Sequence, residues 1–256
     1  MKKITVTSSI DGSSEPSLFQ LASGRGKRPL LVGLHTWSAE LSNQVDKMLP
    51  LAKRRKWSLL LPEFRGPNLT TNPRAREACA TRLAKQDIID AVNYVIKHYE
   101  SRIDTANILL LGGSGGGHMA LMMAGYQPRL WKAVSAWCPI TDLAVWHKEN
   151  KNYASHIAAC CGGVPSVKTK KEYAARSPMT HINAIAKACV HINHGKWDPS
   201  VPSTHSYTLY QALTKKYPQA TVYLNIFNGG HDLHYEEAFA VLDSYVSSTT
   251  QSALTK

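Results

Sequence analysis

Ser114 stands in Gly112-Gly113-Ser114-Gly115-Gly116, a G-x-S-x-G run that follows the aliphatic stretch from Asn107 to Gly112. A serine hydroxyl is a poor nucleophile, so it needs an unencumbered position and a base within reach. A sharp strand-to-helix turn supplies that position, and neighbours without a Cβ suit its crowding. The helix that follows would offer the Gly115 backbone N–H to an oxygen gaining negative charge. The chemistry suggested is acyl transfer through serine. A phosphate cradle explains the glycines less well. A P-loop ends in Gly-Lys-Ser/Thr, whereas Gly117 is followed by His118 and Met119. A dinucleotide fingerprint, read as Gly115-x-Gly117-x-x-Ala120, would begin past the strand. The next apolar run ends in Trp137-Cys138-Pro139, with no acid for a ribose. No cofactor is expected.

A serine nucleophile needs a base and an acid to orient it. Asp198 lies in "HINHGKWDPSVP" and His231 in "NIFNGGHDLHYEE", each in a loop just beyond an apolar run. The chain order nucleophile, acid, histidine is the one that follows a G-x-S-x-G turn. His231 would take the Ser114 proton and return it to the leaving group. Asp198 would fix the imidazole tautomer and stabilise the imidazolium. Asp142, in "CPITDL", satisfies the same order and stands as an alternative acid. Asp232 is expected to point elsewhere, and His234 to lie on the closing helix. His191 and His194 alternate on a strand with no carboxylate or cysteine set beside them, so no metal site is expected. The second oxyanion donor should come from "GLHTWSAEL", with the Trp37 N–H first and Thr36 next, and His35 holding the loop. Trp37, Trp197 and Trp146 are the expected substrate-binding residues, since aromatic faces suit sugar rings or aryl groups.

These residues need elements to hold them. "KITVTSSI" and "SLFQLA", joined through Asp11-Gly12, read as an antiparallel hairpin within residues 1–28. Six short apolar runs follow, beginning at Pro29, Trp57, Asn107, Lys132, Ala188 and Thr221. Continuous apolarity of this length is what a strand covered on both faces looks like. Helix-period segments separate the runs. In "ATRLAKQDIIDAVNYVIKHYESR", Leu83, Ile88, Ala91, Val92, Val95 and Ile96 fall on one stripe. The closing helix is expected in "HYEEAFAVLDSYVSSTT", residues 234–250. Alternation of this kind predicts a mostly parallel, eight-stranded α/β sheet with helices on both faces. The chain reads as one domain over residues 1–256, with a cap or insertion over residues 140–187 that would shape the substrate site.

Composition narrows the partners. An apolar fraction of 43% with 19% charged residues excludes a disordered chain. The five cysteines are odd in number and lack CxxC spacing, which argues against a disulfide framework or a zinc ribbon. No apolar run is long enough to span a membrane, and the N-terminal lysines lack the apolar core of a signal peptide. Neither compartment nor oligomeric state follows from these features. The formal net charge of +12 is partly clustered, in "KRRK" and "KTKK", and could steer an acidic polymer. No nucleic-acid module accompanies it, so no nucleic-acid partner is expected.

With "LHTW", "PEFRGPN", "QDIIDAVNYV", "GGSGGGHMA", "YAARSPMTHI", "HGKWDPSVP" and "NGGHD" in this order, the chain resembles the α/β-hydrolase superfamily. The resemblance runs from about Leu30 onward and is to the serine-hydrolase branch that includes prolyl oligopeptidase catalytic domains, dienelactone hydrolase and acetyl xylan or feruloyl esterases. It implies a Ser114–His231–Asp198 triad and acyl-enzyme chemistry. Two departures bear on substrate. "HTW" replaces the commoner His-Gly pair, and only about thirty residues of hairpin precede the catalytic fold where proteolytic members carry a propeller. The expectation is a carboxylester hydrolase acting on a small-molecule or oligosaccharide ester. A small peptidase on the same triad, or a non-catalytic binding protein on this scaffold, is the alternative.

Overall fold

The computed structural model of the protein describes residues 1–246; residues 247–250 of the expected closing helix lie outside the described residues. β1 (Lys2–Thr7) and β2 (Ser14–Gln20) form the expected antiparallel hairpin, with Lys2 opposite Phe19. β2 then pairs antiparallel with β4 (Ser58–Pro62) rather than with β3 (Arg28–Leu34), its neighbour in sequence. From there every pairing is parallel. With β5 (Ile103–Gly113), β6 (Ala133–Trp137), β7 (Val190–Gly195) and β8 (Val222–Phe227), the spatial order is β1-β2-β4-β3-β5-β6-β7-β8. β4 and β6 are buried along their whole length, because helices cover both faces. β8 is the edge and is largely solvent-facing.

One face of the sheet carries α1 (Val45–Arg54) and α9 (Tyr235–Asp243), which bury Met48, Leu51, Phe239 and Leu242 against Leu31, Leu59 and Leu111. The other carries α2 (Arg82–His98), α3 (Gly115–Tyr126) and α8 (Thr204–Lys216). α2 starts where the Thr81 hydroxyl accepts the Ala84 N–H, and its expected stripe packs inward through Ile88, Ala91, Val92 and Val95. α3 is buried from Gly115 through Ala124, as a helix apolar all round must be. It therefore sits at the centre of the molecule.

The expected insertion after β6 is helical. It comprises α4 (Leu143–Glu149), α5 (Lys151–Cys161), α6 (Lys170–Ala175) and α7 (Ile182–Ile185). Trp146, Ile157, Cys160, Cys161 and Tyr173 form an apolar cluster that Trp37, from the loop after β3, joins. The five cysteines are free thiols, four of them buried. The hairpin is locked to the rest by Arg65, whose guanidinium is 1% exposed. It donates to Asp11 at 2.7 Å, Glu77 at 2.9 Å, Ser8 at 3.1 Å and Asp87 on α2. A buried charge is tolerable only when satisfied this completely.

Candidate active site

Ser114 lies between the last residue of β5 and the first of α3, with φ 56° and ψ −121°. A non-glycine residue at positive φ is strained, so its surroundings must hold it there. Two bonds do so: the Ser114 N–H donates to Trp137 O at 2.8 Å, and Ser114 O accepts the His118 N–H at 2.9 Å. The flanking glycines are required by contact. A Cβ on Gly112 would lie 2.2 Å from Gly116 O, and one on Gly115 would lie 2.4 Å from the Trp37 backbone nitrogen. The Trp37 and Gly115 main chains therefore touch directly beside Ser114. The Gly115 N–H is the first of a helix and has no intrahelical partner, while the Trp37 N–H has no backbone acceptor among the described residues. Two amides at one spot beside a hydroxyl are the geometry that stabilises a tetrahedral oxyanion.

His35 holds the Trp37 loop. It is buried, stacks on Phe64 with ring centroids 3.9 Å apart, and reaches Thr36 O at 2.9 Å and Glu63 O at 2.8 Å. Burial lowers its pKa. Glu63 in turn accepts the Leu41 N–H at 2.8 Å, and burial pushes its carboxyl up to about 7, with the Glu40 and Glu15 charges adding to the effect.

The loops after β7 and β8 bring Asp198 and His231 together, with Nδ1 of His231 2.6 Å from Asp198 Oδ2. That contact leaves the other imidazole nitrogen free as a base. The second carboxylate oxygen, Oδ1, accepts the Ser200 and Val201 N–H groups at 2.8 and 2.9 Å. Burial alone would raise the Asp198 pKa. Hydrogen bonds from His194, His231 and Val201 outweigh it and hold the carboxyl well below the usual carboxylate range. Ser114, His231 and Trp37 line one cavity of about 400 Å³ at the carboxyl ends of the strands, with Tyr153, Asp232 and Tyr235 among the other lining residues. Among the described residues the Ser114 hydroxyl makes no hydrogen bond, to His231 or otherwise. Contacts of this kind commonly tighten only when substrate is bound.

Asp142 is elsewhere: its Oδ1 caps α4, accepting the Ala144 and Val145 N–H groups. One further expectation is revised. His194 is not without partners. Nε2 approaches Asp198 Oδ2 at 3.2 Å and Val201 O at 2.8 Å, and ligand atoms of Cys138, His194 and Asp198 lie within 4.8 Å of one another. These residues sit at the ends of two different strands, which no local spacing reveals. They are already engaged as hydrogen-bonding groups, with His194 Nδ1 against Ser206 Oγ at 2.6 Å and burial pushing the Cys138 thiol up to about 12. Asp232 is among the residues that line the cavity, and its Oδ2 accepts the Gly230 N–H of its own loop at 3.2 Å. His234 stands at the N-cap position of the closing helix, its carbonyl accepting the Ala238 N–H at 2.9 Å.

The tryptophans divide. Trp37 is among the residues lining the cavity but its indole is buried, and Trp146 is buried edge-on against it with centroids 4.9 Å apart, its Nε1–H donating to Ser200 O at 2.8 Å. Trp197 lies outside the lining, 65% exposed and beneath the Lys196 ammonium. Of the three expected substrate-binding tryptophans, Trp37 alone is among the lining residues. The aromatic residue that reaches the cavity from the insertion is Tyr153, which stacks on Trp146. Sequence reading passed it over in favour of the tryptophan one helix earlier.

Residues 82–244, more than half of the chain and including Ser114, Asp198 and His231, match the prolyl oligopeptidase family. The chain belongs to that family. Among solved structures it is similar to an acylaminoacyl peptidase in complex with Z-Gly-Gly-Phe-chloromethyl ketone, with 20% identity and a TM-score of 0.73 over 95% of this chain and 40% of that one. A puromycin-hydrolysing peptidase of Mycobacterium tuberculosis matches with 20% identity and a TM-score of 0.75 over 95% and 39%. The acylaminoacyl peptidase of Pyrococcus horikoshii gives 18%, 0.74, 95% and 39%. At this identity the likeness establishes the α/β-hydrolase fold, and the chain spans about two fifths of each structure's length. The named relatives are peptidases, and the carbohydrate esterases expected from sequence have no counterpart among them. Among the described residues, no helix of this family member is long and apolar enough to cross a membrane.

Proposed function

We propose that this chain is the catalytic part of a serine peptidase, with Ser114 as nucleophile, His231 as general base and acid, and Asp198 as the group that orients the imidazole. The observation carrying the reading is the 2.6 Å contact of Asp198 with His231 Nδ1, made at a cavity that a strained Ser114 also lines. Ser114 Oγ attacks the acyl carbon as its proton passes to the free nitrogen of His231. Negative charge gathers on the acyl oxygen, met by the Gly115 and Trp37 N–H groups. The tetrahedral species collapses, breaking the bond to the leaving group, which takes the proton from His231. Water then repeats the sequence on the acyl-enzyme and releases Ser114. Amide rather than ester preference is favoured by the family and by the relatives' names.

The experiment is a panel of N-acylated and free peptide naphthylamides beside p-nitrophenyl acetate and butyrate, methyl ferulate and acetylated xylan, run with Ser114→Ala. Amide cleavage that disappears in the variant is the expected result. Hydrolysis of the carbohydrate or aryl esters alone would make the chain a carboxylester hydrolase. Inertness toward the whole panel, with no acyl-enzyme burst, would leave a binding scaffold.

A further inference from the structure

The charge around the candidate active site runs against the charge of the molecule. The chain holds thirty Lys+Arg against eighteen Asp+Glu, yet among the described residues no lysine or arginine lines the 400 Å³ cavity. Among the described residues, Asp232, which follows His231 directly, is the one acidic residue in the lining. One oxygen of it accepts the Gly230 N–H at 3.2 Å, and among the described residues Asp232 makes no salt bridge. It is exposed. Two half-buried tyrosines from different parts of the chain, Tyr153 and Tyr235, share the lining; Trp37 lies there too, with its indole buried. A carboxylate set among aromatic rings in a cleft free of cations is the environment that holds an ammonium or guanidinium group.

The position of Asp232 says which part of a substrate it would meet. In the proposed function, on which this step rests, His231 hands its proton to the leaving group. The residue beside it on the same loop therefore flanks that group rather than the acyl chain. We infer that the cavity selects substrates with a cation on the leaving-group side, held by Asp232 and the aromatic side chains around it. The basic surface would then keep acidic polymers near other parts of the molecule, not in this cleft.

A pair of esters of one shape and different charge tests this: acetylcholine and 3,3-dimethylbutyl acetate, followed in a pH-stat. The cationic ester should have a kcat/KM about tenfold higher, with the difference in KM, and added salt should shrink it. In Asp232→Asn, which keeps an acceptor for the Gly230 N–H, the ratio should fall to near one. Equal turnover of the two esters by the native protein, or a ratio unchanged in Asp232→Asn, would overturn the inference. Choline binding to Ser114→Ala, measured by calorimetry, separates this from a failure of the serine chemistry. Binding that weakens severalfold in Ser114→Ala/Asp232→Asn sustains the cation subsite even where no substrate is hydrolysed. Absence of choline binding removes the subsite whatever Ser114 does.

Discussion

The floor of the cavity and the wall it receives from the insertion are built by different means. On the floor, main-chain geometry decides. Ser114 is held at φ 56° by bonds to Trp137 O and from the His118 N–H, and Gly115 lets the Trp37 backbone approach because it has no Cβ. On the wall, side-chain packing decides: Tyr153 reaches the cavity because it stacks on Trp146, which itself packs against Trp37. The floor admits almost no substitution without displacing a backbone atom. The wall can change its residues while keeping the cluster filled, since cores tolerate swaps that conserve volume. The proposed catalysis is thus anchored in the rigid part, and the shape it would offer to substrate lies in the part free to vary.

The comparison breaks first at the nucleophile. Ser114→Ala should lower kcat by about 10⁴-fold or more with the fold intact, read by steady-state kinetics beside circular dichroism. A variant that retained activity would place the chemistry off the floor. Next, Asp198→Asn should lower kcat by about 10³- to 10⁴-fold, since the imidazole loses its tautomer and its counter-charge. Asp142→Asn should leave kcat close to the native value because Asp142 caps α4; the reverse pattern would exchange the two assignments. On the wall, Trp146→Ala should destabilise by about 3–5 kcal/mol in urea unfolding, the cost of emptying a buried aromatic site. Tyr153→Phe should be near neutral in stability and alter KM more than kcat. A large loss of kcat in Tyr153→Phe would make the wall part of the machinery rather than a surface for substrate.

The smallest effect tests the support beneath the floor. The folded state holds the Glu63 proton more tightly than the unfolded chain, because burial raises its carboxyl to about 7. Its contribution is therefore intact below the ordinary glutamate range and is lost as pH rises toward and through 7. Between pH 5 and pH 8 the Tm of the native protein should fall relative to that of Glu63→Gln, which keeps an acceptor for the Leu41 N–H. Parallel Tm profiles for the two proteins would show that Glu63 is not protonated in the fold.

Much of the floor was legible because its requirements are local. A nucleophile turn needs glycines at fixed offsets, and Gly112, Gly113, Gly115 and Gly116 stand at them; strands buried on both faces need unbroken apolar runs, and those runs mark β3 through β7. The pairing of β2 with β4 was not legible, since it depends on which edge is open once β3 and β5 have met. The wall was legible only as a segment. Its length marked an insertion, but whether Trp146 or Tyr153 meets the cavity turns on how α4 and α5 pack against Trp37, a contact across more than a hundred residues.

The sequence by itself determined the α/β architecture, the order of Ser114, Asp198 and His231, and the loops that carry them, because each is written in local spacing and periodicity. Only the tertiary structure decided that His194 shares the Asp198 carboxylate with His231, that Asp232 is among the residues lining the cavity, and that Trp197 lies outside it. These are distances between loops at the ends of different strands. They are fixed by the twist and register of the whole sheet, which no stretch of residues specifies alone.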